Sequence, residues 1–237
     1  MSLFAQDRDE KEKLIQTVVF DFDYTLADSS KGVVLCVNHA LKGLGLPPVD
    51  EERIKRTIGL PLEQTFRQLT GRDDPNQERE FVRLYVQRAD EIVAGLTTLL
   101  PAVPETLRLL KVPGLALGII SNKFRRRIEV IMERENLLDC FDVIVGSEDV
   151  VHYKPDPESL LSAIGRLGSS PSSCLYVGDS VTDGETAKRA GVPFVAVLTG
   201  VTTREEHERY QPQAILESLA ELPGLIRQAK DLWNPGG

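Results

Sequence analysis

Polar and apolar positions follow two rules along this chain. In one part, β-prone apolar runs stop abruptly at polar residues; in the other, helical spacing continues without any strand-like alternation. The first run, Val18-Val19-Phe20, predicts the end of a buried strand that halts at Asp21. Ser29 or Ser30 then caps a helix whose apolar positions Val33, Val34, Val37, Ala40, Leu41 and Leu44 keep helical spacing until Gly45 and Pro47-Pro48. From Glu51 to about Gly95 only helical patterns occur, over 51–58, 62–69 and 77–92, punctuated by Gly59, Pro61, Gly71 and Pro75.

From Val103 onward helix and strand alternate. Helices over 104–110, 125–135, 157–167 and 184–190 interleave with strands over 115–120, 143–145, 174–177 and 194–197, followed by Ala214-Ile215-Leu216 and a last helix. Repeated β-then-α units predict an α/β fold, a three-layer Rossmann-like core with a parallel sheet between helices. Residues 1–30 and 100–237 are expected to form this core, and 31–99 an inserted all-helical cap, or lid. The insert leaves and re-enters near Asp21, so it is placed to cover the carboxyl ends of the strands, where open α/β sheets bind ligands.

Composition narrows the partners more than the fold. At 237 residues and 41% hydrophobic, the chain can bury a real core. A net charge of −8 argues against a nucleic-acid surface and for a small-molecule partner. No apolar run approaches the roughly 20 residues of a membrane span, and residues 1–13 are too charged for a signal sequence. Cys36, Cys140 and Cys174 are odd in number and lack metal spacing, so they read as free thiols in a reducing, cytoplasmic setting, with no membrane partner. The oligomeric state, monomer or homodimer, stays open.

Four stretches fall at or beyond the carboxyl ends of predicted strands. Asp21-Phe22-Asp23-Tyr24-Thr25 would set two carboxylates side by side if the backbone stays extended, and their repulsion invites a hard divalent cation such as Mg²⁺. A carboxylate is a competent nucleophile towards phosphorus once charge on the phosphoryl oxygens is neutralised, and a second can act as acid and base. Ser121-Asn122 offers a hydroxyl and an amide to phosphate oxygens; Lys154-Pro155 offers a cation on a rigid turn. Asp179 and Asp183, four apart, share a face if a helix begins there, one to ligate metal and one to orient the lysine. Taken singly, each has an ordinary alternative: a solvated turn, a helix cap or an exposed loop.

In this order and at these spacings the four stretches resemble the motifs of the haloacid dehalogenase-like superfamily of phosphohydrolases: DxDxT, a Ser or Thr after the second strand, Lys, and GDSxxD. Within it the chain looks most like the phosphoglycolate phosphatase-like branch, through Asp28-Ser29-Ser30, Ile58-Gly59-Leu60-Pro61-Leu62-Glu63, Lys154-Pro155-Asp156-Pro157 and Ala190-Gly191-Val192-Pro193. The resemblance implies a phosphatase working through an aspartyl-phosphate on a small phosphorylated metabolite. Asp21 would be the nucleophile and Asp23 the acid and base; Ser121 and Lys154 would grip the phosphoryl group, with Thr25 and Asn122 assisting. It further implies Mg²⁺ held by the Asp21 carboxylate, the Asp23 carbonyl and Asp179, with Asp183 behind them. A β-phosphoglucomutase-like mutase, a pyrophosphatase, a sugar-phosphate phosphatase and a catalytically silent binding module are the alternatives.

Two departures from that pattern stand out. Tyr24 replaces the usual glycine, which could narrow the leaving-group space or alter how the lid seats; Leu100-Pro101-Ala102-Val103 replaces a Pro-Gly hinge. The other polar candidates read as bland. His39 is a helix-surface or packed histidine, and His152 and His207 lie among polar residues without a role. Lys31, Lys55 and Arg56 could reach a substrate carboxylate, but a solvated helix face explains them; Asp73-Asp74 is a loop, and Trp233 packs the last helix.

Overall fold

Apolar runs that end at polar residues become the strands of one parallel sheet. In the computed structural model, which describes residues 15–232, β1 (Thr17–Phe20) lies at its centre. A two-residue β2 (Ala27–Asp28) follows, then helices α1 (Ser30–Gly43), α2 (Glu51–Lys55), α3 (Leu62–Thr70) and α4 (Pro75–Leu96), and a two-residue β3 (Thr98–Leu99). The alternating part contains α5 (Val103–Leu110), β4 (Ala116–Ile120), α6 (Arg125–Arg134), β5 (Val143–Val145), α7 (Glu158–Arg166), β6 (Cys174–Gly178) and α8 (Val181–Ala190). It closes with β7 (Phe194–Val197), α9 (Arg204–Glu208), β8 (Ala214–Leu216) and α10 (Leu222–Leu232). Trp233 lies outside the described residues.

The sheet order is β5-β4-β1-β6-β7-β8, with every pairing parallel. Alternation along β1 sends Val18 and Phe20 to one face and Val19 to the other. The first face packs against Leu107 of α5, Ile128 and Ile131 of α6 and Leu222 and Ile226 of α10; the second against Leu160 and Ile164 of α7 and Ala187 of α8. These are the three expected layers.

Helices α1 to α4 pack on one another around a separate apolar cluster that includes Cys36, Val37, Ile54, Phe66, Phe81 and Val93. The Phe66 and Phe81 rings meet at 5.4 Å. Asp74 caps α4 by accepting from the backbone N–H groups of Asn76 and Gln77, so the Asp73-Asp74 loop also starts a helix. The paths out of and back into the sheet pair with each other, Ala27 with Leu99 and Asp28 with Thr98 in antiparallel register. That ribbon has no signature in the sequence, because two residues per strand are too few to show a period. Three arginines of α6 join it to α4: Arg126 and Arg127 bond Asp90, and Arg134 donates to the carbonyls of Ala94 and Thr97. Among the described residues no helix is long and apolar enough to cross a membrane.

Candidate active site

The register around β1 decides what meets at its end. Phe20 lies opposite Ile119 on one side and Val177 on the other, so the chain segments that follow all emerge together at the carboxyl ends of β1, β4 and β6. Asp21 still donates its N–H to the Val177 carbonyl at 2.9 Å, and Ser121 donates to Val145 at 3.0 Å. Lys154 arrives from the loop after β5, and Asp179 follows β6. Asp21, Asp23, Thr25, Ser121, Lys154, Asp179 and Asp183 are all buried.

Lys154 is the hub. Its ammonium lies 2.7 Å from Asp21 Oδ1, 2.7 Å from Asp183 Oδ1 and 3.1 Å from the Tyr176 hydroxyl. Asp183 is saturated with donors, because Tyr176 OH (2.6 Å) and Ser180 Oγ (2.5 Å) also donate to it, as does the Ser180 N–H. Helix α8 begins at Val181, earlier than the 184 start read from the sequence, since Ser180 and Asp183 form a reciprocal capping box. Asp183 therefore faces inward in the first turn of α8 instead of in a loop before it.

Asp179 receives one hydrogen bond among the described residues, from Thr25 Oγ1 at 3.1 Å. Gly200 presses against it so closely that a Cβ there would lie 1.9 Å from Asp179 Oδ2. Oxygens of Asp21, Asp179 and Asp183 all lie within 4.8 Å of one another. Burial pushes the Asp21 carboxyl up to about 7, against the pull of Lys154. Burial, reinforced by Asp183 and Asp21, drives Asp179 well above the usual carboxylate range. Burial would also raise Asp183, but Lys154 and its hydroxyl donors outweigh that and hold it low. Three buried carboxylates around one lysine leave negative charge uncompensated, and Asp179 has oxygen capacity to spare. A hard divalent cation bound by Asp21 and Asp179 fits that donor set.

Asp23 stands apart from this cluster. An extended backbone would have put the two carboxylates side by side, yet the chain turns at once: Leu26 and Ala27 donate to the Phe22 carbonyl, and Tyr24 sits at φ +60°. The turn gives Asp23 its own partners, Ser29 Oγ at 2.5 Å and the Lys123 ammonium at 3.2 Å. Tyr24 is mostly buried, and its carbonyl accepts from Thr199 Oγ1. Its positive φ explains why glycine is the easier residue at this turn. Burial and nearby Asp28 push the Tyr24 phenol up to about 12, against the opposing pull of Ser30 and Lys55.

Two expected phosphate contacts are committed elsewhere. The Asn122 amide donates to the carbonyls of Gly59 (2.8 Å) and Lys154 (3.2 Å) and accepts from the Lys154 N–H (3.0 Å), so it ties the lysine loop to the helical segment. The Thr25 hydroxyl is spent on Asp179. His207 is fully buried, with its ring 6.2 Å from that of Phe194, instead of lying among polar residues; His39 and Lys31 are exposed. Sequence reasoning missed Lys123, Ser29, Tyr176 and Gly200. Ser29 lies in the Asp28-Ser29-Ser30 stretch and Lys123 directly follows Ser121-Asn122, and their proximity was the missing fact. Tyr176, two residues before Gly178 on an all-buried strand, carried only the hint of a polar group in an apolar run.

The chain belongs to the haloacid dehalogenase-like hydrolases, whose family model matches residues 18–197. Among curated relatives, a phosphoglycolate phosphatase from Escherichia coli O157:H7 is 34% identical over 229 residues, covering 88% of this chain and 91% of that one. A Dickeya dadantii protein named "Probable phosphatase IndB" is 32% identical over 212 residues, covering 87% of this chain and 91% of that one. The crystal structure of a haloacid dehalogenase-like hydrolase from Bacteroides fragilis superposes with a TM-score of 0.85 at 44% identity, covering 87% of this chain and 99% of that chain.

Proposed function

We propose that this chain is a Mg²⁺-dependent phosphomonoesterase that acts on a small phosphorylated metabolite through an aspartyl-phosphate on Asp21. The observation that carries the reading is the division of two carboxylates between two environments. Asp21 is fixed by Lys154 at 2.7 Å within the buried cluster, while Asp23 faces Ser29 and Lys123 outside it. Asp21 attacks phosphorus as the bond to the leaving oxygen breaks, and Asp23 gives that oxygen its proton. Water then attacks the phosphoryl group on Asp21, Asp23 takes the water's proton, and phosphate leaves.

Ser121 and Lys154 bind the phosphoryl oxygens in this scheme, with Asp183 and Tyr176 orienting the lysine. Thr25 and Asn122 assist by position: Thr25 through Asp179, Asn122 through the lysine loop. Mg²⁺ would be held by Asp21, the Asp23 carbonyl and Asp179, and it would neutralise charge on the transferring group. Residues 31–99 act as a lid over the site, and residues 1–30 with 100–237 as the catalytic core. A cytoplasmic setting without a membrane partner goes with this reading, supported by the free thiols of Cys36, Cys140 and Cys174, and the net charge of −8 speaks against a nucleic-acid partner.

Phosphate release from p-nitrophenyl phosphate and a panel of phosphorylated metabolites, with Mg²⁺ and with EDTA, tests it. Turnover should need Mg²⁺ and vanish in Asp21→Asn while the fold persists by circular dichroism. Substantial turnover in Asp21→Asn would remove the nucleophile. Conversion of β-glucose 1-phosphate to an isomer without free phosphate would make the protein a mutase.

A further inference from the structure

A cavity of about 110 Å³ lies between the helical segment and the sheet, and its lining says which half of the substrate it takes. Asp23, Asn122 and Lys123 line it, whereas Asp21, Ser121 and Lys154 do not. It therefore sits on the leaving-group side of the acid. Its walls are largely apolar, with Val33, Val37, Ile58, Leu62, Val82 and Phe124 among them.

The carboxyl side chains in the lining are Asp23 and Glu63, and the cationic ones are Lys123 and Arg127. Both cations are buried and already engaged. Lys123 bonds Asp23 at 3.2 Å and Ser29 at 3.4 Å; Arg127 bonds Asp90 at 2.6 Å and the Val86 carbonyl at 3.1 Å. Arg126, which shares Asp90, is half exposed and lies outside the lining. The lid cations that could have met a substrate carboxylate are also elsewhere: Lys31, Lys55 and Arg56 do not line the cavity, and Lys55 is paired with Glu51 at 2.8 Å. A carboxylate entering this space would lose its water, face Asp23 and Glu63, and have to break an existing ion pair to gain a cation. An ammonium would meet the same difficulty with Lys123 and Arg127.

We infer that the leaving group is an uncharged alcohol with an apolar body of roughly four to six non-hydrogen atoms, a size set by comparison with the about 150 Å³ apolar cavity that holds benzene. This rests on the phosphomonoesterase reading above and departs from the glycolate leaving group in the names of the curated relatives. The test compares kcat/KM of the wild-type protein with Mg²⁺ on n-butyl phosphate, phenyl phosphate, 2-phosphoglycolate and phosphoethanolamine, each followed by phosphate release. Butyl or phenyl phosphate should exceed both charged esters by about tenfold or more. Val82→Arg, which adds an unpaired cation to a half-buried wall position, should narrow or reverse the preference over 2-phosphoglycolate. Equal or better turnover of 2-phosphoglycolate or phosphoethanolamine by the wild type overturns the inference and leaves the phosphatase reading standing. No phosphate release from any ester overturns both.

Discussion

At the carboxyl ends of the strands, Asp21, Lys154, Asp179 and Asp183 are each at most 4% exposed; Lys154 locks Asp21 and Asp183 together, and an Asp179 oxygen lies within 4.8 Å of theirs. In helices α1 to α4 the buried residues are mostly apolar, and most charges sit outside in local pairs such as Lys55–Glu51, Arg83–Glu80 and Arg88–Glu91, with buried Glu78, paired to Arg67, an exception. The difference is one of tolerance. Buried charges must be mutually satisfied, so each member of the network constrains the others. Surface pairs contribute on the order of 0–1 kcal/mol each, so the helical segment can change its polar face while its apolar cluster holds. In the proposed function the chemistry belongs to the unforgiving region and selectivity to the adaptable one.

Removing the hub should break this contrast most severely. Lys154→Met leaves Asp21 and Asp183 facing each other without a cation; we expect turnover to fall by about 10²–10³-fold or more and stability by about 3–5 kcal/mol, read from phosphate release and urea unfolding. Unchanged stability would mean the network is not the strict unit described. Next in size, Phe81→Ala should cost about 3–5 kcal/mol within the helical cluster. Hydrogen exchange should then show lost protection in α1 to α4 and retained protection in β1 and β6; equal loss in both would show a single cooperative unit.

Proton linkage gives a third, smaller effect. The Asp21 carboxyl is raised from 3.8 to about 7 and Asp179 is raised too, so the folded metal-free protein holds protons that the unfolded chain has released. These groups therefore lower stability as pH rises from about 4 to about 7. A bound divalent cation opposes that loss. Mg²⁺ should raise Tm more at pH 8 than at pH 5, by roughly 4 °C or more, in thermal scans against EDTA; an equal gain at both pH values would separate metal binding from these carboxylates. Smallest of all, Arg126→Ala removes a half-exposed bond to Asp90 at 2.8 Å between α6 and α4. It should change stability by about 1 kcal/mol or less and lose its effect in about 1 M salt, checked by urea titration at two ionic strengths.

The sheet and its termini were legible because burial on both faces writes continuous apolar runs, and because the three central runs stop at chemically conspicuous residues: Phe20 before Asp21, Ile120 before Ser121, Gly178 before Asp179. Four helical stretches before Val103 were also readable, although α4 runs unbroken from Pro75 to Leu96, longer than the 77–92 pattern, because Asp74 caps it and Pro75 suits a first turn. The ribbon of β2 and β3 and the five-residue α9 are too short to have a period. Partnerships across more than a hundred residues, such as Thr25 with Asp179 or Lys154 with Asp21, leave no trace in local spacing.

The sequence by itself determined the α/β alternation, the helical stretches and the set of polar residues delivered to the ends of the strands, because periodicity and chain punctuation are local properties. Only the tertiary structure decided that Asp21 and Asp23 would part company, that Asn122 would be spent on the Lys154 loop and Gly59, and that Lys123 would belong to Asp23. Those outcomes depend on where a turn at φ +60° and a cluster of buried charges find their counter-charges in space. A buried charge takes the nearest partner that satisfies it, whatever the distance along the chain.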